Sequence, residues 1–279
     1  MSAVLGAGVA VLLAGALAWK WQLGVRRVVA AVALMAALVG LAVTQLVDGA
    51  WTTGMTVAGG TLAVAGAVLA QRFYRDPERR PPAGADLVLS PADGEVVYVR
   101  RSVAGALPVA TKHGRDHRLD ELVGTGLVGE EAVVVGVAMS FLDVHVNRAP
   151  VAGLVTARRH QSGSFLSLRR PEAVFQNERA TTVISTGSLD VAVVQIASRL
   201  VRQVVGYVGE GDRVAAGDRI GAIRLGSQVD LVLPARPDVQ VLVRPGDRVR
   251  AGESALARVD ATALTGSGTD RTTDDAAGG

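Results

Sequence analysis

The sequence predicts a compact, mainly antiparallel β domain with barrel-sandwich-like hairpins, preceded by two to three transmembrane helices. Two observations support this fold class. The long apolar runs lie ahead of residue 71, and from residue 86 onward short Val-rich segments alternate with turns rich in Gly, Asp and Pro. We therefore expect a transmembrane region at 1–71, a linker at 72–85, a β domain at 86–262 and a disordered tail at 263–279.

The N-terminal region contains three apolar runs, at residues 3–18, 28–47 and 51–70. The second and third reach the ~20 residues that a helix needs to cross a bilayer, and the first is near the lower limit. A signal peptide is the competing interpretation of the first run, but the basic cluster follows that run instead of preceding it. Tryptophan rings settle at the headgroup level, so their placement at run ends favours membrane spans. These residues are Trp19, Trp21 and Trp51.

Basic residues indicate the orientation of these spans. One basic cluster lies between the first and second runs and another follows the third, whereas the loop between the second and third contains Asp48 and no basic residue. Because positive charge stays on the cytoplasmic side, three crossings place the N-terminus outside. The sequence thus predicts a cell-membrane protein whose β domain is cytoplasmic.

Short Val-rich segments after residue 86 predict the strands of the β domain. They lie at residues 95–100, 131–138, 143–146, 181–184, 189–196 and 230–232. Residues 198–205 offer a possible helix in this region.

The composition excludes several classes of chemistry. The chain has no Cys, so disulfides, thiolate nucleophiles and iron–sulfur clusters are excluded. Lysine occurs only at Lys20 and Lys112, which argues against covalent catalysis by lysine. The His residues are scattered and no carboxylate cluster has ligand spacing, so no metal site is expected. The net charge of +3 comes without interleaved aromatic residues, which favours an anionic lipid surface over nucleic acid as a partner.

An internal repeat lies in the C-terminal half, where Gly211-Asp-Arg-Val-Ala-Ala-Gly217 is followed by Gly246-Asp-Arg-Val-Arg-Ala-Gly252. Its glycines fit turns that need a positive φ. This repeated sequence resembles the half-motifs of lipoyl- and biotinyl-type barrel-sandwich domains, but it lacks the Lys that carries their prosthetic group. Two similar hairpin turns are the simpler interpretation. A membrane-anchored barrel-sandwich adaptor without catalysis is the alternative function that this repeat supports.

A Gly226-Ser227 pair lies between two apolar strands. A Ser hydroxyl can attack the carbonyl of the preceding residue only where the backbone can distort, which Gly permits. Such an attack turns the amide into an ester, and it needs a base for the hydroxyl and donors for the oxyanion. A solvated or capping hydroxyl is the simpler interpretation of Ser227, and a Ser/His/Asp hydrolase acting on other molecules is a further alternative.

His145 is the best candidate for the base because it directly follows an apolar strand. Asp143 lies two residues earlier, so on a strand both side chains would point to one face and the carboxylate could orient the imidazole. A His whose ring nitrogens satisfy backbone groups is the alternative. Asp93 lies in an Asp-Gly sequence that is typical of a turn.

Taken in order, these segments resemble the phosphatidylserine decarboxylase family, in particular its short bacterial and archaeal form. The resemblance covers most of residues 73–259, and the number and order of its short motifs make it specific. The motifs are Phe73-Tyr-Arg-Asp-Pro77, Ser90-Pro-Ala-Asp-Gly94, Asp143-Val-His-Val-Asn-Arg-Ala-Pro150, Asn177-Glu-Arg179 and Leu225-Gly-Ser-Gln228.

The resemblance implies a proenzyme that cleaves itself between Gly226 and Ser227. The β chain would end at residue 226 and the α chain would begin at residue 227. Ser227, His145 and Asp93 would be catalytic, and Ser227 would become a covalent pyruvoyl group. The substrate would be an anionic membrane phospholipid, phosphatidylserine, and the products phosphatidylethanolamine and CO₂. The α and β chains of one proenzyme would be partners, and a homodimer is a further expectation.

Arg148, Asn177 and Arg179 are the substrate-binding residues that the resemblance implies. The sequence departs from the family pattern at two positions. Longer members have a His at the position of Arg148, so this motif leaves only the His145 imidazole for self-processing, for decarboxylation or for both, while Arg148 could bind a carboxylate or phosphate. Gln228 replaces a small hydroxyl residue, which could alter the speed of processing.

Overall fold

The computed structural model describes residues 1–21, 25–102, 106–107, 117–118, 131–164, 166, 173–198, 204–223 and 228–260. The chain divides into two compact units. The first contains Met1–Arg75 and Ser140–Val144, and the second contains Asp76–Met139 and His145–Gly279.

Three apolar helices form most of the first unit: α1 (Ser2–Trp21), α2 (Val25–Val43) and α3 (Ala50–Phe73). Each is long and apolar enough to cross a membrane. Their large apolar side chains are mostly outward-facing, as Leu12 and Leu41 are, and such surface is stable when lipid covers it. The three apolar runs predicted from the sequence are therefore helices.

Glycine allows α1 and α3 to pack closely. A Cβ added to Gly6 would lie 2.1 Å from the carbonyl oxygen of Gly54, so neither helix could approach the other this closely with a larger residue at position 6. Close contact through small residues is the usual way in which helices associate in membranes. Packing thus accounts for Gly54 and Gly60 of the third run, where a Cβ would lie 3.1 and 3.2 Å from a neighbour, but not for Gly59 and Gly66, where it would meet nothing within 4 Å.

The second unit is built from short strands, all of whose named pairs are antiparallel. Within the described residues the strands are β1 (Leu87–Leu89), β2 (Gly94–Arg101), β3 (Ala106–Leu107), β4 (His117–Arg118), β5 (Ala132–Ala138), β6 (Val146–Arg148), β7 (Gly153–Gln161), β8 (Arg179–Ser185), β9 (Asp190–Ile196), β10 (Val204–Gly206), β11 (Arg213–Val214), β12 (Arg219–Ile223), β13 (Gln228–Pro234), β14 (Val239–Val241), β15 (Arg248–Val249) and β16 (Ala255–Val259). A short helix, α4 (Ala173–Gln176), precedes β8.

One large sheet organises this unit, in the order β11-β7-β8-β9-β13-β5-β2-β15. Its central strands are buried on both faces: Leu231 and Leu233 of β13 pack into one apolar cluster and Val232 into another. Burial on both faces explains why the central strands are continuous Val-rich runs and do not alternate with polar residues. Three smaller sheets, β1-β16-β14, β10-β12-β6 and the two-stranded β3-β4, lie beside it among the described residues.

The strand pairing reveals an internal duplication. β1 and β2 pair with β16 and β15, and in the same way β6 and β7 pair with β12 and β11. Both halves share a Pro-x-x-Gly turn, Pro91 to Gly94 in the first and Pro150 to Gly153 in the second. Each half therefore contains one copy of the Gly-Asp-Arg-Val repeat. The repeat seen in the sequence is one part of a longer structural repeat that also includes the Pro-x-x-Gly turn.

Backbone hydrogen bonds repeat in the two halves at equivalent atoms. The Val96 amide donates to the carbonyl of Asp247 at 2.9 Å, and the Val155 amide donates to the carbonyl of Asp212 at 2.8 Å. The halves also exchange bonds across the interface between them. The Leu89 amide donates to the Pro150 carbonyl at 2.8 Å, and the Arg148 amide donates to the Pro91 carbonyl at 3.0 Å.

Two local predictions differ from the structure. The strand predicted at 143–146 is wrong for its first part, because Asp143 lies in a turn closed by a hydrogen bond from the Ser140 amide to its carboxylate at 2.7 Å. The argument that Asp143 and His145 share a strand face therefore fails. The helix predicted at 198–205 is wrong at its end, where β10 begins, and residues 199–203 lie outside the described residues. The tail predicted at 263–279 also lies outside them.

Substitution of Gly153 tests how closely the Pro150–Gly153 turn packs against the neighbouring backbone. A Cβ at this position would lie 2.3 Å from the carbonyl oxygen of Ser185, so Gly153→Ala must displace backbone. We expect a loss of about 1–3 kcal/mol in the free energy of unfolding, measured by denaturation in detergent. Gly209→Ala is the matched control, because its nearest neighbour would be a side-chain oxygen at 3.9 Å. Equal stability of the two variants would contradict this packing.

Candidate active site

Asp93 is held rigidly in the turn between β1 and β2. Its side chain is buried, and both of its carboxylate oxygens accept hydrogen bonds from the Arg79 guanidinium, at 2.8 and 3.0 Å. The amide of Ala251, in the second copy of the Gly-Asp-Arg-Val repeat, donates to the same carboxylate at 2.8 Å. The corresponding residue of the other half is Ala152, so only one of the two turns carries an acid.

Arg79 was not singled out as a site residue from the sequence. Its guanidinium bridges Asp93 and Glu253, which it contacts at 3.0 Å, and it is itself buried. Its Nη2 donates to both Asp93 oxygens while its Nη1 donates to Glu253, and such charge-assisted hydrogen bonds are stronger than neutral ones. Arg79 therefore orients Asp93 from a segment that the sequence predicts to be a linker.

Arg148 is also buried and engaged by this segment. Its Nη1 donates to the Gly217 carbonyl at 2.8 Å, and its Nη2 donates to the Pro77 carbonyl at 2.9 Å and to Asp76 at 3.2 Å. Burial, helped by the nearby Arg219 charge, lowers the pKa of Arg148 from its ordinary value. These contacts favour a positioning role over the predicted binding of substrate anions.

His145 is buried and lies beside the strand that leads to the predicted cleavage site. Its carbonyl accepts a hydrogen bond from the Ile223 amide at 3.0 Å, at the end of β12. Gly226 and Ser227 lie outside the described residues. The next strand, β13, begins with Gln228, which pairs with Ala138 of β5 and with Ile196 of β9.

The turn that carries Asp93 contacts the strand that follows His145. Besides the bond from the Arg148 amide, the Pro91 carbonyl accepts a bond from the Asn147 side-chain amide at 3.3 Å. The structure thus brings together the Asp93 turn, the His145 segment and the strand entering residues 226–227. The direct contacts of a Ser227–His145–Asp93 triad remain a prediction.

This arrangement of motifs has a counterpart among known proteins. The family model described as phosphatidylserine decarboxylase matches residues 67–257. The chain belongs to the phosphatidylserine decarboxylase family. The resemblance inferred from the short motifs is therefore confirmed.

Individual relatives support the same assignment. A protein of Methanothermobacter thermautotrophicus named "Putative archaetidylserine decarboxylase proenzyme" is 42% identical over 67% of this chain and 79% of its own length. The phosphatidylserine decarboxylase proenzyme of Symbiobacterium thermophilum is 40% identical over 80% of this chain and 91% of its own length. The phosphatidylserine decarboxylase proenzyme of Mycobacteroides abscessus is 41% identical over 73% of this chain and 77% of its own length.

Two of the substrate-binding residues implied by the family motifs organise a loop. The Asn177 side chain is fully buried; its Oδ1 accepts from the Leu166 amide, and its Nδ2 donates to the carbonyls of Leu166 and Ala197. Arg179 donates to the carbonyls of Phe175 and Asn177. These bonds favour a structural role for Asn177, and substrate binding by either residue remains a prediction.

Gln195 is a buried residue that the sequence did not reveal. Its Nε2 donates to Asn147 Oδ1 at 2.8 Å, while Asn147 Nδ2 donates to the Pro91 carbonyl. Because a carbonyl only accepts, this chain of bonds fixes both amide orientations. Gln195 Oε1 is left as a buried acceptor without a partner among the described residues. Only the strand register, which pairs Gln195 with Val229, could have located it.

A second buried cluster lies directly after the predicted cleavage site. Tyr98 donates to Asp230 at 2.6 Å, and Gln228 Nε2 donates to Asp230 at 2.7 Å and to the Tyr98 hydroxyl at 2.7 Å. Burial raises the pKa of Asp230 to about 6, although the two hydrogen bonds oppose that shift. Burial, together with the Asp230 carboxylate, raises the pKa of Tyr98 well above its ordinary value.

Asp230 predicts a pH dependence of stability. Its pKa is higher in the folded state than in the unfolded chain, so between the two values the folded state binds more protons and stability falls as pH rises. We expect the free energy of unfolding of the wild type, relative to Asp230→Asn, to fall by on the order of 3 kcal/mol between about pH 4 and pH 7. Denaturation curves at several pH values measure this difference. A difference that stays constant or grows with pH would contradict the burial of this carboxyl.

Proposed function

We propose that this chain is a self-processing, pyruvoyl-dependent decarboxylase that converts phosphatidylserine to phosphatidylethanolamine and CO₂. One observation carries the proposal. The Asp93 turn contacts the residues that follow His145, and the His145 carbonyl accepts a hydrogen bond from the end of β12, the strand that precedes Gly226-Ser227. The family membership and the relatives' names give the reaction and the substrate.

Self-cleavage would begin when the Ser227 hydroxyl attacks the Gly226 carbonyl carbon. A C–O bond forms, the peptide C–N bond breaks, and the hydroxyl proton passes through His145 to the released amine. Loss of the Cα proton of residue 227 then breaks its Cβ–O bond and releases Gly226 as a carboxylate. Addition of water and loss of ammonia leave a ketone at residue 227.

Asp93 would support the imidazole charge that develops during this sequence. Its carboxylate is already held by Arg79 and by the Ala251 amide, so it needs little reorganisation in the reaction. Arg148 stands where longer family members have a His, so His145 would be the imidazole of this motif in both processing and decarboxylation.

The residues present fit a pyruvoyl group made from Ser227. The chain contains only two lysines and neither lies in a family motif, so a carbonyl made from the backbone is the more consistent electrophile. Bound at residue 227, the group supplies a carbonyl that accepts electrons as CO₂ leaves. Gln228, anchored at the start of β13, would hold it in the core.

The helical unit fits a lipid substrate. We propose that its three helices span the cell membrane with the N-terminus outside, because basic residues lie at both predicted cytoplasmic ends. The residues ahead of His145 belong to this unit: the Phe141 ring lies 5.2 Å from Phe73, and Arg75 donates to the Leu142 carbonyl at 2.9 Å. Residues 140–144 are thus held at the end of α3 within this unit.

Finer properties of the fold and the assembly belong to the same proposal. The duplicated halves and the repeated Gly-Asp-Arg-Val turns support a barrel-sandwich type of β domain. The α and β chains would remain associated because β12 and β13 lie on opposite sides of the cut and both are buried within the same unit. A homodimer stays a prediction.

Intact mass analysis of the purified protein tests this proposal. We expect two chains that meet between Gly226 and Ser227, the C-terminal one carrying a pyruvoyl group in place of its amino terminus. Ser227→Ala should remain a single chain, and the control Ser188→Ala, at a half-buried turn residue, should be cleaved normally. An uncleaved wild type that nevertheless releases CO₂ from phosphatidylserine, or cleavage of Ser227→Ala at the same bond, would overturn the mechanism.

A further inference from the structure

Gln228 occupies an unusual position once the chain is cut. Before cleavage, residue 227 is connected to both β12 and β13. After cleavage at the proposed bond, its only covalent link is to Gln228, the first residue of β13. Chain ends and strand ends open locally more easily than strand interiors do. The position of residue 227 then depends on how firmly Gln228 is held.

The side chain of Gln228 is held by a closed set of hydrogen bonds. Gln228 Nε2 donates to both Tyr98 and Asp230, and Tyr98 donates to Asp230, so each of the three groups contacts the other two. Gln228 and Asp230 are buried. Because a buried polar network is stable only when its members are satisfied, removal of one group weakens the whole set.

The neighbouring strand is adapted to this contact. Gly136 of β5 lies between Tyr98 and Asp230 in the sheet register, and a Cβ at Gly136 would lie 2.5 Å from Cζ of the Tyr98 ring. Glycine therefore lets Tyr98 reach across β5 to the strand that begins with Gln228. The Arg100 guanidinium lies over the same ring, 4.2 Å from its centre, where a cation–π contact helps to hold it.

We propose that Tyr98 and Asp230 are positioning residues that act through Gln228 to hold residue 227 in place for its chemistry. This inference rests on the proposed pyruvoyl function. It assigns a role to Gln228, which stands where the family motif has a small hydroxyl residue. A long amide side chain at this position can reach a buried anchor that a short hydroxyl residue could not.

The experiment compares Gln228→Ala and Tyr98→Phe with the wild type. For each protein, mass analysis gives the rate of self-cleavage, and titration with a carbonyl reagent gives the number of ketones at residue 227. The release of CO₂ from carboxyl-labelled phosphatidylserine in mixed micelles then gives kcat per ketone and KM. Ser102→Ala is the control. The Ser102 hydroxyl accepts a hydrogen bond from the amide of Ala132, at one end of β5, whereas Gln228 pairs with Ala138 at the other end.

We expect Gln228→Ala and Tyr98→Phe each to lower either the cleavage rate or kcat per ketone at least about tenfold, with little change in KM, since small misplacements of reacting groups are costly. Ser102→Ala should leave both rates within about twofold of wild type. In the Gln228→Ala background, Tyr98→Phe should have no further effect on these rates, because it acts through Gln228.

Several outcomes would overturn the inference. Unchanged rates in Gln228→Ala would show that its side chain does not position residue 227. An equal loss from Tyr98→Phe in both backgrounds would show that Tyr98 acts by another route. A similar loss of the cleavage rate or of kcat per ketone in Ser102→Ala would show that the losses come from general destabilisation of the sheet. A wild type without a ketone at residue 227 would instead refute the proposed function itself.

Discussion

Two backbone hydrogen bonds exchanged between the halves of the β unit constrain the positions of the Asp93 turn and of the segment that follows His145. The Leu89 amide donates to the Pro150 carbonyl, and the Arg148 amide donates to the Pro91 carbonyl. Each bond joins the strand of one half to the turn of the other, so neither turn can move alone. The buried Asp93 and the segment after His145 are fixed relative to each other by this exchange.

The duplication explains how a small β unit can specialise its two halves. The equivalent turns share Pro and Gly because both must pass close to neighbouring backbone: a Cβ at Gly94 or at Gly153 would lie within 2.3 Å of a carbonyl oxygen. The residue between them differs, with Asp93 in one half and Ala152 in the other. The backbone pattern is therefore retained in both halves, while only one turn carries an acid.

The sequence predicted the central strands β2, β5, β8, β9 and β13 because buried strands are recognisable as Val-rich runs, but it missed β7, β12 and β16. It predicted the candidate groups through short motifs, but it could not reveal how they are supported. Arg79 reaches Asp93 only when the segment after α3 lies against the turn, and Tyr98 reaches Asp230 only in the observed strand register. The prediction for Asp143 failed because its carboxylate binds the Ser140 amide, and a local side-chain bond of this kind replaces a strand with a turn.

We propose that a carbonyl made from Ser227 carries out the decarboxylation. Treatment of the purified, cleaved protein with a carbonyl reagent tests this most directly when both the mass of the protein and its release of CO₂ from labelled phosphatidylserine are followed. We expect the reagent to add once to the first residue of the α chain and the activity to fall in proportion to this addition. Full activity in protein whose residue 227 is completely modified would contradict it.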